Sequence, residues 1–321
     1  MVLVPPGQEV RVSAVTDEPQ EVLGTSAEPT TSPRGWTAIV GSRMFIVVGA
    51  LLGLGALSLG FVVNLTLVSQ LVHARDQEVL YSDFRSDLAN AIAPVGQTDI
   101  NGAILAAGAP VAVLEIPDLG LREVVVEGTT STVTQSGPGH RRDTVLPGQP
   151  GVSVIYGRQA AFGGPFGQLE ILQPGMRIVT TTGQGISEYE VIDVRRPGDP
   201  LPSPLAPGQG RLTLLTGLGP RFMPTDVLRV DAMLVTEPYP APGRIITAAA
   251  LEPAEQPMAG DPAGLVPLLL WLQLLLVAVI GAVWLMIRWG RWQAWLVAFP
   301  VIFFVGVMAS MSAARLLPNL L

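Results

Sequence analysis

The sequence predicts a mainly β domain, an antiparallel barrel or sandwich, held between one N-terminal and two C-terminal transmembrane α-helices. Three observations predict it. Residues 44–63, 264–287 and 293–314 are three long stretches without a charged residue. Between the first and second of them, from about Ala109 to Leu234, the chain breaks into short β-branched runs separated by Gly and Pro. The whole chain is 49% hydrophobic but only 14% charged, against about 25% charged in a typical soluble domain.

The first apolar stretch is about the twenty residues that cross a bilayer core of about 30 Å, and its apolar character continues to residue 68, so the first span is set at 44–68. The forty-three residues before it are rich in Pro, Ser, Thr and acidic groups, too polar to bury a core, and read as a disordered cytoplasmic tail, 1–43. No small-residue cleavage site follows at a suitable distance, so the span reads as a retained anchor. Within it Gly49, Gly53 and Gly60 share one helical face with Ala56, and small residues at that spacing let another helix approach closely. In residues 69–94 apolar side chains from Leu71 to Ile92 recur at helical spacing, which predicts a stalk helix ending before Pro94.

Next come seven β-rich runs: Val111–Ile116, Glu123–Val126, Val152–Tyr156, Arg177–Thr181, Ser187–Val194, Arg211–Leu215 and Val227–Val235. They place one β domain at 95–235, long enough for a single core. Residues 236–263, rich in Pro, read as a linker. The second and third spans, 264–287 and 293–314, are joined by the turn Arg288–Trp292, and five of the six tryptophans lie in this hairpin region, as interfacial anchors do. Arg34 and Arg43 before the first span, with Arg288 and Arg291 in the turn, put those ends on the cytoplasmic side. The β domain and the C-terminus then lie outside.

Composition excludes several chemistries. All 19 basic residues are arginine and none is cysteine. A thiolate nucleophile, a disulfide, a Cys-ligated metal, a Schiff base and a P-loop lysine are therefore ruled out. A net charge of -7 argues against nucleic acid as a partner. Two distant histidines, His73 and His140, with scattered acids give no metal-ligand spacing. No cofactor is expected. The expected partners are the lipid bilayer and another membrane or envelope protein.

Within the β domain an ordered set of short motifs carries a family resemblance. Ile116-Pro-Asp-Leu-Gly-Leu121 precedes Val124-Val-Val-Glu-Gly128; Gly137-Pro-Gly-His140 and Leu146-Pro-Gly-Gln-Pro-Gly151 follow. Val154-Ile-Tyr-Gly-Arg-Gln159, Gly163-Gly-Pro-Phe-Gly-Gln-Leu169 and Thr213-Leu-Leu-Thr-Gly217 complete the set. In this order the chain resembles the sortases, membrane-anchored cysteine transpeptidases of Gram-positive bacteria, and most resembles their actinobacterial members. The resemblance covers about 125 of the 321 residues and implies a β-barrel with a peptide groove, in a bacterial plasma membrane.

The resemblance also implies a Cys, a His and an Arg that act as nucleophile, proton donor and oxyanion partner. Matched residue by residue, those positions hold Gly217, Arg158 and Val227. Glycine offers no nucleophile, and a guanidinium of pKa above about 12 neither gives nor takes a proton near neutral pH. The expectation is a pseudosortase: a non-enzymatic binding, scaffold or assembly component of the envelope. Its alternatives are an accessory subunit of a transport or secretion complex, or a hydrolase with relocated Ser/Thr chemistry. The residues expected along the vestigial groove are Arg158, Thr216, Arg229 and His140. Arg158 in place of the histidine suggests an acidic ligand, whereas His140 is expected in a loop and His73 on the surface.

Overall fold

The computed structural model describes Leu51, residues 53–289 and residues 291–321. The tail 1–43, the start of the first span and Gly49 lie outside the described residues, as do Arg34 and Arg43.

Eight strands form a closed barrel: β1 (Pro110–Ile116), β2 (Leu121–Glu127), β3 (Gly139–His140), β4 (Gly151–Tyr156), β5 (Arg177–Thr182), β6 (Gly185–Arg195), β7 (Gly210–Leu218) and β8 (Asp226–Leu234). The order around the barrel is β1-β2-β3-β4-β7-β8-β6-β5, closed by β1 on β5. All neighbours are antiparallel except β2–β3 and β4–β7, which are parallel. The closed order selects the barrel over the sandwich. It also corrects the count of seven runs, because β3 holds only two residues and offers no period to read.

Alternation fills the interior. Leu114 and Ile116 of β1, Ile155 of β4, Ile178 of β5, Tyr189 and Val191 of β6, Leu212 and Leu214 of β7, and Leu228 and Val230 of β8 form one core with Phe166 and Leu169. Strand β1 is buried on both faces, because a helix covers its outer side. That helix, α1 (Gly53–Ala89), runs unbroken from the first span into the stalk, with a π-helical turn at Asn64–Val68. Phe84 of α1 is fully buried against Val113 and Val124, with Leu80, Tyr81 and Leu88 around it, worth about 2–3 kcal/mol in apolar area removed from water. The Gln77 side chain donates to the carbonyls of Val124 and Ser136 and accepts from the Val124 amide. The helix ends at Ala89, before Pro94, and Ala91 turns left-handed at φ 55°.

His73 is buried, not on the surface. Its Nε2 lies 3.1 Å from Glu123 Oε2 and its Nδ1 3.3 Å from the Gln135 carbonyl, fastening the stalk to the barrel.

Residues 236–263 are not a free tether. Tyr239 donates its amide to the Gly148 carbonyl, Gln97 accepts from the amides of Ile245 and Ile246, and Thr129 donates its hydroxyl to the Glu255 carbonyl. The segment is a strap along the barrel. It leads into α2 (Leu265–Trp289) and α3 (Arg291–Arg315), which take in all of the expected five-residue turn but residue 290, outside the described residues. With α1 these are three helices long and apolar enough to cross a membrane. Their outward faces carry exposed leucine, valine, phenylalanine and tryptophan, the surface a lipid phase accepts. Pro267 sits in the first turn of α2, where no amide is needed, and α3 stays helical through Pro300.

Candidate functional site

Three adjacent strands bring the expected site positions together. Gly217 of β7 and Val227 of β8 are direct cross-strand partners. Arg158 lies two residues past the end of β4, and Gly157 continues the parallel β4–β7 pairing by donating its amide to Leu215, at 2.9 Å. Residue 157 must be glycine, since a Cβ there would enter the Phe166 ring.

Arg158 is fully buried, and no carboxylate pairs with it among the described residues. Its Nη2 donates to the Ser131 carbonyl at 2.7 Å and to Ser131 Oγ at 2.9 Å; its Nε donates to the Thr134 carbonyl at 3.1 Å. Nη1 reaches the Pro318 carbonyl at 3.4 Å, and the Phe162 ring lies 5.0 Å below the guanidinium. Burial pulls its pKa down to about 9, lower than the free-side-chain value used for the sequence, yet still charged at neutral pH. The expectation that Arg158 receives an acidic ligand is therefore corrected. Its donors are spent on the chain's own carbonyls.

The occupant of the site comes from the other end of the sequence. Beyond α3, residues 316–321 turn back onto the barrel. Leu320 is fully buried against Tyr156 and Leu215, with Val154, Val227 and Met258 around it. Gln159 donates its amide to the Leu320 carbonyl at 3.1 Å, and Ala161 donates to Leu321 at 3.2 Å. Leu321 donates its amide to the Pro318 carbonyl at 3.1 Å, so residues 318–321 form a turn laid against residues 159–161. Asn319 is fully buried: its amide nitrogen donates to the carbonyls of Thr129 (2.7 Å) and Gln256 (2.9 Å), and its backbone amide to Ala259 at 2.9 Å. Thr134 donates its hydroxyl to the Asn319 carbonyl at 3.1 Å. A Cβ at position 217 would stand 2.9 Å from the Leu320 carbonyl oxygen and 2.7 Å from Pro224 Cβ. Gly217, Arg158 and Val227 thus all face one segment.

The remaining expected groove residues divide. Thr216 is buried beside Gly217, its hydroxyl without a partner among the described residues. Arg229 lies on β8 two residues from Val227, its Nη1 3.4 Å from the Val227 carbonyl. His140 does not belong to the groove or to a loop. It sits on β3, buried, with Nδ1 2.8 Å from Glu127 Oε2 and Nε2 2.9 Å from the Val145 carbonyl. Thr144 Oγ1 stands 3.1 Å from the same Nε2, so Thr144, His140 and Glu127 have the order of a nucleophile, a base and an orienting acid. The hydrogen bonding is wrong for that chemistry. Both ring nitrogens face oxygen acceptors, which favours the doubly protonated ring, and Thr144 donates its own proton to the Arg141 carbonyl at 2.7 Å. Burial lowers the imidazole's affinity for a proton, but the Glu127 charge and hydrogen bond, with the Val145 carbonyl, outweigh it and hold the pKa above its ordinary value.

Sequence reasoning missed a second buried cluster, where Asp231 accepts from Arg195 Nε and from Thr213 Oγ1 at 2.7 Å. It also missed the whole 316–321 segment. Its only signal was four leucines left outside the third span, which needed somewhere to go.

The fold and site define a class: a closed eight-stranded barrel carried on helices long enough to cross a membrane. The sortase domain model matches residues 114–220, the greater part of the barrel. Among solved structures, it is similar to a sortase D5 transpeptidase of Clostridium perfringens at 22% identity, covering 51% of this chain and 99% of that one, with a TM-score of 0.39. It is similar to the SrtF sortase of Corynebacterium diphtheriae at 27% identity, covering 46% and 94%, with a TM-score of 0.37. Sortase E of Streptomyces avermitilis is 28% identical, covering 47% and 100%, with a TM-score of 0.36. No curated protein matches the chain.

Proposed function

We propose that this chain is a membrane-tethered, non-catalytic sortase-like protein that serves as a binding, scaffold or assembly component of the bacterial cell envelope. One observation carries the reading: where the family's chemistry calls for a thiolate, an imidazole and a free guanidinium, this chain has Gly217, Arg158 and Val227, and its own Leu320 lies among them. Gly217 attacks nothing. Arg158 keeps its proton at neutral pH and spends its donors on Ser131, Thr134 and Pro318. Val227 offers an apolar wall to a developing oxyanion, which needs donors. Thr144 spends its hydroxyl proton on the Arg141 carbonyl and not on His140, which argues against it as a relocated nucleophile.

In this reading the arginines before the first span and in the hairpin turn keep those ends in the cytoplasm, and the barrel stands outside the plasma membrane. The partner is another envelope or membrane protein. A Cβ built on Gly53 or Gly60 meets nothing within 4 Å among the described residues, which leaves that face of α1 open to a second helix. The same open face supports the narrower reading of an accessory subunit in a membrane transport or secretion complex.

The test is turnover. The full-length chain in detergent is incubated with sorting-signal peptides and an amine acceptor, and the expected result is neither cleaved nor joined peptide. Product formed by the wild-type chain overturns the proposal.

A further inference from the structure

We propose that the groove is a closed receptor whose internal ligand is the segment 316–321, and that this segment latches the membrane hairpin to the barrel until a leucine-bearing turn from another chain displaces it. The inference rests on the non-catalytic reading of the same site, since a groove used for turnover must stand open.

The geometry separates ligand from tether. Leu320 fills the apolar end of the groove, and the carbonyls of Pro318, Leu320 and Leu321 accept from Arg158, Gln159 and Ala161. Every one of these contacts is made to backbone or to a leucine side chain, so any turn with leucine at that place and carbonyls so placed satisfies them. Gly217 is the feature that admits it, for the reason of space given above.

On the other side the segment is tied to the hairpin by very few residues. Arg315 closes α3 and accepts the Asp261 amide at 2.9 Å; Asp261 in turn accepts the Thr132 hydroxyl of the barrel. Gly264 lets Arg315 pass so close that a Cβ there would stand 2.9 Å from Arg315 Cβ. Loss of the Leu320 seat therefore works directly on the junction at 259–264. The groove interior also has reserve polar capacity. The hydroxyl of Tyr156, whose side chain packs against Leu320, is buried without a partner among the described residues, and a ligand with a polar side chain beside its leucine has a partner to meet there.

A fluorescent peptide copying residues 315–321, Arg-Leu-Leu-Pro-Asn-Leu-Leu, tests this on the full-length chain in detergent. A tethered internal ligand competes at an effective concentration of about millimolar, so wild type is expected to bind the peptide weakly. Leu320→Asp, which removes the apolar anchor, is expected to bind it at least tenfold more tightly. Peptide binding should also speed hydrogen exchange at the amides of Gln159, Ala161 and Asp261 in the wild type, or leave Gln159 and Ala161 re-protected while Asp261 alone opens. Equal affinity for wild type and Leu320→Asp overturns the internal-ligand claim. Binding that leaves Asp261 protected overturns the latch. Should Leu320→Asp fail to fold, Asn319→Ala leaves the apolar pocket intact and is expected to fall between the two; wild-type affinity in that variant also overturns the claim. Peptide turnover in the same samples sinks the non-catalytic reading instead, so the two failures are distinguishable.

Discussion

Asn319 gives the sharpest single perturbation of the self-filled groove. Asn319→Ala removes two side-chain donors, to the Thr129 and Gln256 carbonyls, and keeps the backbone bonds to Ala259 and Thr134. A net hydrogen bond in a folded protein is worth about 0.5–1.5 kcal/mol, so the pair contributes about 2 kcal/mol. At about 1.4 kcal/mol per tenfold, local opening of the segment should rise about thirtyfold. Hydrogen exchange followed by mass spectrometry on the full-length chain reads this at Gln159 and Ala161, whose amides bond to Leu320 and Leu321. The expected pattern is about thirtyfold faster exchange there, with strand amides of the barrel core unchanged. Unchanged rates at Gln159 and Ala161 refute the assignment of Asn319 as the anchor. An equal acceleration across the whole barrel refutes the idea that the segment opens on its own.

Three further outcomes follow from the same geometry. The His140 imidazolium is stabilised by folding, since its folded pKa lies above the unfolded value near 6.5; its contribution is fully present below that value and is lost as pH rises through the raised one. Thermal melts should therefore fall as pH climbs above neutrality, and His140→Gln should flatten the slope. Arg195→Met leaves Asp231 buried with only Thr213 as donor and should cost about 3–5 kcal/mol in a denaturant titration, with part regained when Asp231→Asn is added. Gly217→Cys restores a thiol but puts its Cβ against the Leu320 carbonyl; faster exchange at Gln159 and no transpeptidation are expected, because position 158 still lacks a proton donor.

The strands were legible as β-rich runs set between Gly and Pro. The runs Val111–Ile116, Arg177–Thr181 and Arg211–Leu215 each lie in a barrel strand. Gly139 and His140 form no such run: two residues held by the parallel edge of β2 and the antiparallel edge of β4 are defined by their neighbours alone. The first span and the stalk run on as one helix, in which Asn64 and Ser69 stay within one helical ladder and Ser69 Oγ donates back to the Leu65 carbonyl. Arg158, Gly217 and Val227 were legible as a set because short motifs fix their order, and adjacent strands bring them together. What fills the space between them was not. Leu320 meets a residue more than a hundred positions earlier, Gly217, and nothing in the sequence after Arg315 names that partner. The charge state of His140 was equally hidden, because it depends on Glu127 and Val145 from different parts of the chain.

The claim that everything else depends on is the want of any reacting atom in the groove. Intact-mass spectrometry of the full-length chain after prolonged exposure to an acyl-phosphonate probe measures it directly. An unshifted mass is the predicted result. A single covalent adduct, mapped to Thr216 or Thr144 or to any other side chain of the barrel, contradicts it.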